Sequence, residues 1–587
     1  MCVSVFLLDM GVFPYPSFNR PFLMLSLRTR LSVCLALAAF LLAGCTTSPI
    51  PEPREPILPR TRVTDAELIA QARRQWYIMA DPSRQSEWGA AIAAYNRALE
   101  LLFRRVRYDY FGADLSRVRP EAYGYTLAGD AEENFHMADV YQDLVPARDI
   151  DLDDLEERNT LPGVGVPLAG VVRADKASRL NCVRVIKDKD NVHTVTAVLT
   201  FPKDPKSREL PRMHFFLRLN REFVPIGRYH YGLAADFSAP ISLYWKMTDV
   251  SRFRLLGLFR PQKAVNVRGL SFNEPYDRDK IPVVLAHGLM SSPNTFANMV
   301  NRLLKDPEIR KHYQFWYFGY PTGIPWMLSA AEYRRALREV RAELDPNRRD
   351  PNWDQMVVIG HSMGGLLTRY NLSLEPWRLL KGIVSTDGEK LYFDKKYIDE
   401  PLPNESFEAF RHSFYFRPLE EPKRAIFLAT PHRGAPFADN WISAICSAII
   451  NLPAQLVEEA VKIVTLQDDM IVLRTPDMIR NFTSIRQLSP KSLSIRNLSD
   501  VPLRDIPVHS VIGDRGRKNT PCSSDGMVPY WSSHLGWSRS EKIVPHGHSV
   551  QDDPATAEEV GRILKLHLRE MQELQDKTPS SGGRCSM

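Results

Sequence analysis

One stretch constrains the fold more than any other: Met356-Val357-Val358-Ile359-Gly360-His361-Ser362-Met363-Gly364-Gly365-Leu366-Leu367. An apolar run leads into a serine flanked two residues away on each side by glycine, and a second apolar run follows at helical spacing. The first run suits a central parallel strand, covered on both faces. The second suits a helix whose N-terminus points back at the serine. A serine at the apex of so sharp a strand-to-helix turn has a strained backbone, and Gly360 and Gly364 remove the Cβ atoms that would clash there. The phrase G-x-S-x-G also arises by chance, so its weight depends on what else the chain supplies.

The surrounding sequence supplies a regular alternation. Val283 to Ala286 reads as a buried strand and is followed by His287-Gly288-Leu289-Met290. A helix is expected from about Thr295 to Leu304, a strand over Phe315 to Tyr320 and a helix over Ala330 to Leu344. Then come the serine turn, a strand over Ala425 to Ala429, a strand over Val508 to Ile512, a short strand at Ile543-Val544 and a helix from Ala555 to Met571. This succession predicts an α/β fold, a mostly parallel sheet with helices on both faces.

His287-Gly288 after a strand, with G-x-S-x-G further on, resembles the α/β-hydrolase superfamily. Within it the chain is similar to the lipase and esterase branch, including proteins like the deacylase acting on GPI-anchor inositol. The resemblance implies a nucleophile at Ser362 and an acid and a histidine after it in chain order. The phrase Ser524-Asp525-Gly526-Met527-Val528-Pro529 stands where such lipases place the acid, which implies Asp525, with Asp514 as the alternative. The loop Pro545-His546-Gly547-His548-Ser549 implies His548 as the base, with His546 as the alternative. By position, the oxyanion donors are the N–H groups of Met363 and Leu289, with Met290 in reserve. His287 and His361 are expected to shape loops. Thr430-Pro431-His432-Arg433-Gly434-Ala435-Pro436 resembles a lipase turn lining the pocket. The apolar segment after it, within about residues 437–500, lies where lipases insert a cap or lid; a helix pair packed firmly on the core would read the same way.

The 587 residues exceed one ordinary domain. A net charge of +7 without a long Lys/Arg block argues against a nucleic-acid binder. Arg28 and Arg30, the apolar run Leu31 to Leu42 and the phrase Leu42-Ala43-Gly44-Cys45 resemble a bacterial lipoprotein signal. The resemblance implies that residues 1–45 are an address and that Cys45 is lipidated. With Thr46 after the cysteine, it also implies residence in the cell envelope, at the outer membrane and facing the periplasm. Met24 is the better start of that signal. Of the seven cysteines, Cys182, Cys446, Cys522 and Cys585 are scattered without a C-x-x-C pattern, so no disulfide or metal site is legible.

Residues 46–60 are proline-rich and read as a tether. Residues 61–264 read as a mixed α+β accessory region. It holds a helical hairpin, opened by the capping box Thr64/Glu67, and then strands, among them Val195 to Phe201, Phe215 to Leu219 and Ile241 to Trp245. Residues 265–575 are the hydrolase-like domain and 576–587 a disordered tail. The expected activity is serine-dependent cleavage of carboxylic esters, with a lipid-like acyl ester as substrate, the membrane engaged through the lipid anchor, and no cofactor or metal. An acyltransferase with the same residues, or a surface-anchored interaction protein with an inert core, are the rival readings. Oligomeric state is not legible.

Overall fold

The computed structural model describes residues 50–577, apart from 54–57, 111–118, 129–140, 153–154, 173–190, 219–220, 249–267, 273, 382–411, 437–486 and 517–519. Cys45 and its signal, the junction expected near residue 265, most of the expected cap and nearly all of the tail lie outside the described residues. Of the expected cap, 487–500 is described and ends in the helix Leu493–Asp500. No helix among the described residues is long and apolar enough to cross a membrane.

Helix α1 (Asp65–Ala80) begins where the sequence predicts. The Thr64 side chain accepts from the Glu67 N–H, and the Glu67 carboxylate accepts from the Thr64 N–H at 2.6 Å. Helix α2 (Trp88–Tyr110) packs antiparallel-fashion against it through a short 3₁₀ connection, burying Trp76, Met79, Tyr95 and Leu99. Next to the hairpin lies a five-stranded sheet. Its strands are β1 (Thr126–Leu127), β2 (Tyr141–Pro146), β3 (Val166–Val172), β4 (Asn191–Thr200) and β5 (Arg212–Leu217), in the order β1-β5-β4-β3-β2. Tyr95 joins hairpin to sheet, its buried hydroxyl donating to the Leu199 carbonyl at 2.7 Å.

Ile241 to Trp245, expected as a strand, lies in helix α3 (Ser238–Thr248). The Asp236 carboxylate accepts from the N–H groups of Ser238 and Ala239 at 3.0 and 2.9 Å and so starts the helix. Nearly every residue of α3 is buried. A helix covered all round shows no polar face, so its sequence lacks the period that marks a surface helix.

The large sheet has seven strands: β6 (Gly269–Phe272), β7 (Ile281–Ala286), β8 (Tyr313–Gly319), β9 (Met356–His361), β10 (Pro422–Leu428), β11 (Val508–Gly513) and β12 (Ser540–Val544). Their order is β6-β8-β7-β9-β10-β11-β12, parallel throughout except for β6 against β8. Strands β7 to β11 are buried along their whole length or nearly so, as an all-apolar strand between two layers must be. Their side chains alternate between two cores. Val283, Leu285, Val357, Ile359, Ile426 and Val511 face α4 (Ala297–Leu303) and α7 (Pro554–Lys577). Val284, Ala286, Val358 and Phe427 face α5 (Trp326–Leu344) and α6 (Met363–Asn371).

The first of those cores does not stop at the hydrolase-like region. Val145, Val171, Val192, Ile241 and Trp245 belong to it, and Trp245 meets Tyr317 edge-on with ring centroids 5.0 Å apart. Buried Asn301 binds the seam: its Oδ1 accepts from Ser238 Oγ at 2.8 Å, its Nδ2 donates to the Glu157 carbonyl at 2.9 Å, and its own carbonyl accepts from Asn159 Nδ2 at 3.1 Å.

Candidate active site

The C-terminal ends of β7, β9, β10, β11 and β12 open onto one rim, and the loops leaving them carry the residues that the sequence singles out. Ser362 sits at the first position after β9 with φ 54° and ψ −123°, a left-handed region that L residues rarely enter. The turn is possible because a Cβ on Gly360 would run into the backbone of Gly365, and one on Gly364 into the Ala286 carbonyl. Four non-glycine residues among those described have positive φ, and three stand on this rim: Met290, Ser362 and Ala429.

His548 lies between the other two residues. Its Nδ1–H donates to Asp525 Oδ2 at 2.7 Å, which leaves Nε2 to accept from Ser362 Oγ at 2.8 Å. Asp525 is 1% exposed, and its other oxygen accepts from the N–H groups of Met527 and Val528, both at 2.7 Å. Those bonds fix a buried carboxylate that would otherwise be unfavourable. Gly513, the last residue of β11, lets the two loops converge: a Cβ there would lie 2.8 Å from the Asp525 Cβ and from the carbonyl oxygens of His546 and Gly547.

The alternatives are placed elsewhere. Asp514 accepts from the Gly516 N–H at 2.8 Å, closing its own turn. His546 contacts its neighbour's carbonyl through Nδ1 at 3.3 Å and has no bond to the serine. The Met290 N–H donates to Thr322 Oγ1 at 3.3 Å. The N–H groups of Leu289 and Met363 have no acceptor among the described residues. Met363 also opens α6, where the helix dipole favours negative charge.

Both neighbouring histidines have structural partners. His361 Nε2–H donates to the His548 carbonyl at 2.9 Å, and burial beside His548 pushes its pKa down to about 3. His287 stacks on Tyr320, with centroids 4.4 Å apart, while the Tyr320 hydroxyl donates to the His287 carbonyl at 2.6 Å. Burial lowers the His287 pKa to about 4. The sequence marks both as loop-shaping but does not reveal that His361 holds the backbone of His548. That contact spans most of the domain and has no local signature. Nor does the sequence single out Gln551 and Asp552, which enter the same cavity.

A cavity of about 450 Å³ opens over Ser362 and His548 and is lined in part by Leu289, Met290, Pro431, Leu488, Met527 and Val528. A larger one, of about 660 Å³, lies between α2 and β3, remote from the serine. The smaller is the one that Ser362 and His548 line. A serine hydroxyl bonded to an imidazole that is itself oriented by a carboxylate has the arrangement of a nucleophile with a base beside it. Two unpaired N–H groups can receive the negative charge that attack on a carbonyl creates.

Residues 283–560 match the family model described as the alpha/beta hydrolase family. A comparison with curated proteins gives no match. Among solved structures, the mature lipase BlEst2 of Bacillus licheniformis shares 16% identity, covering 50% of this chain and 97% of that one, with a TM-score of 0.28. Staphylococcus hyicus lipase shares 14%, covering 52% and 98%, with a TM-score of 0.30. EstA from Clostridium botulinum shares 14%, covering 46% and 83%, with a TM-score of 0.28. The strand order and the family match together give residues 283–560 the α/β-hydrolase fold.

Proposed function

We propose that the chain is a serine hydrolase that cleaves carboxylic esters. The observation that carries this reading is the unbroken relay from Ser362 through His548 to Asp525, at 2.8 and 2.7 Å, beneath a partly apolar cavity. In the first half-reaction, Ser362 Oγ bonds to the ester carbonyl carbon as its proton passes to His548 Nε2. Asp525 stabilises the imidazolium, and the Leu289 and Met363 N–H groups hold the oxyanion. Collapse of this intermediate breaks the bond to the alkoxide, which takes the proton from His548. Water then gives its proton to His548 as it attacks the acyl carbon, and that proton passes to Ser362 Oγ as the acid leaves.

The apolar part of the lining favours an acyl chain, so we assign a lipid-like ester as substrate. The likeness of the Thr430 to Pro436 phrase to a lipase turn supports the same reading, as does that of His287-Gly288 and the serine turn to lipases and GPI-inositol deacylases. An N-terminal lipid on Cys45 would hold the enzyme at the cell envelope, on the periplasmic side of the outer membrane, within reach of such esters. The test is labelling with a fluorescent fluorophosphonate, beside a p-nitrophenyl ester series. Labelling and turnover in the wild type, both lost in Ser362→Ala, are expected. A folded wild-type protein that neither labels nor turns over esters, with or without detergent, overturns the reading.

A further inference from the structure

The lining of the catalytic cavity is not apolar throughout. Ser549, Gln551 and Asp552, which follow His548 directly, line it together with Asn294 and Thr295 from the loop after β7. The two groups adjoin, since Gln551 Nε2 donates to Thr295 Oγ1 at 2.8 Å. This polar stretch holds two acceptors without donors. Gln551 is 1% exposed, and its Oε1 is buried with no hydrogen-bond partner. The Asp552 carboxylate makes no hydrogen bond among the described residues, although its backbone carbonyl accepts from Arg302 Nη1 at 2.9 Å. The buried Gln551 oxygen is unfavourable in this state and a ligand that donates to it relieves the deficit, while the part-exposed Asp552 carboxylate is open to a second donor from the cavity.

The charges around Asp552 indicate what kind of donor fits. Burial pushes its carboxyl up from the usual range; Glu156 adds to this, while His546 and Arg302 oppose it. Arg302 is already committed to Glu156 and, at 3.5 Å, to Glu157. Arg302 and His546 thus act against Glu156 at Asp552, and the neutral Gln551 amide oxygen in the same lining calls for an uncharged donor such as a hydroxyl. His548 must hand its proton to the departing alkoxide, so the alcohol half lies near His548 Nε2, in the cavity that Ser549, Gln551 and Asp552 also line.

We propose that Gln551 and Asp552 form a subsite for the alcohol half of the substrate, and that this half carries free hydroxyl groups, as in a glycerol or sugar ester. The proposal rests on the ester-hydrolase reading above and narrows its substrate class. It is tested with the full-length chain in detergent, using three butyrates that share one acyl group: glyceryl 1-butyrate, n-propyl butyrate and choline butyrate. The readout is the ratio of kcat/KM values. The wild type is expected to favour the glyceryl over the propyl ester by roughly tenfold or more. Asp552→Ala and the isosteric Asp552→Asn are expected to bring that ratio towards unity. A wild type without the preference overturns the proposal, as does a preference that survives in both variants. So does a dominant preference for the choline ester lost in Asp552→Asn, which would mark a cation subsite. If Ser362 takes up fluorophosphonate but no butyrate is turned over, the subsite proposal falls while the activated serine stands. If Ser362 is not labelled either, the hydrolase reading itself has failed.

Discussion

Ser362, Met290 and Ala429 concentrate backbone strain on one rim of the sheet, at roughly 1–3 kcal/mol for each such residue. Strain of this kind persists only where the surroundings hold it, and here they also hold His548. Asp525→Asn is expected to lower kcat about 10⁴-fold, because an amide no longer favours the Nδ1–H tautomer; unchanged thermal melting with near-normal turnover would remove Asp525 from the machinery. His361 acts at one remove, through the His548 carbonyl. His361→Phe should lower kcat roughly tenfold with a smaller change in KM, the worth of about one hydrogen bond. His361→Gln, which keeps a donor, should restore part of the loss, and equal damage in both variants would reduce His361 to a packing residue. At this scale the structure brings Ser362, Asp525 and His548 together, and each stands in a short phrase that is legible in the sequence. The bond from His361 to His548 joins loops distant in sequence, and no pattern within either predicts it.

Elements were legible in proportion to how much their surroundings showed in their period. Strands β7 to β11 are apolar runs because helices cover both faces, and α1 declares its start through Thr64 and Glu67. Helix α3 was hidden for the same reason that the strands were visible: burial on all sides erases the alternation that separates helix from strand. The junction of β11 with the loops of Asp525 and His548 carries its own prediction. Gly513→Ala would push a methyl group against Asp525 and two carbonyl oxygens. A loss of about 1–3 kcal/mol in urea unfolding is expected, with slower fluorophosphonate labelling, since the same methyl group separates acid from base. Wild-type stability and labelling rate in that variant would show that the loops have more room than this packing implies.

Among the described residues, six buried histidines are held neutral. Burial brings His193, His361 and His509 down to about 3, His287 and His567 to about 4, and His432 well below its usual value. A histidine whose folded pKa lies below its unfolded value near 6.5 leaves stability unaffected above that pH. As pH falls from 6.5 towards the folded value, the unfolded chain binds a proton that the native one refuses. Each contributes a loss of about 1.4 kcal/mol per pH unit in that window. Together they rival a typical total of about 5–15 kcal/mol. Urea midpoints should therefore hold from pH 8 to 7 and fall steeply from 6 to 5; a flat profile down to pH 5 would contradict this. The core shared by Trp245, Val192 and Tyr317 also predicts that a chain beginning at residue 265 will not fold cleanly. Dye binding to exposed apolar surface and loss of near-ultraviolet dichroism are the expected signs, and a soluble fragment with native spectra would refute it. That shared core also affects the chain during its synthesis. Val145, Val171, Val192 and Trp245 leave the ribosome long before the helix Pro554–Lys577 that completes their layer. For tens of seconds at ordinary elongation rates, the nascent chain holds a sticky face with nothing yet made to cover it, so its yield in a cell should depend on chaperones that shield that face until translation ends.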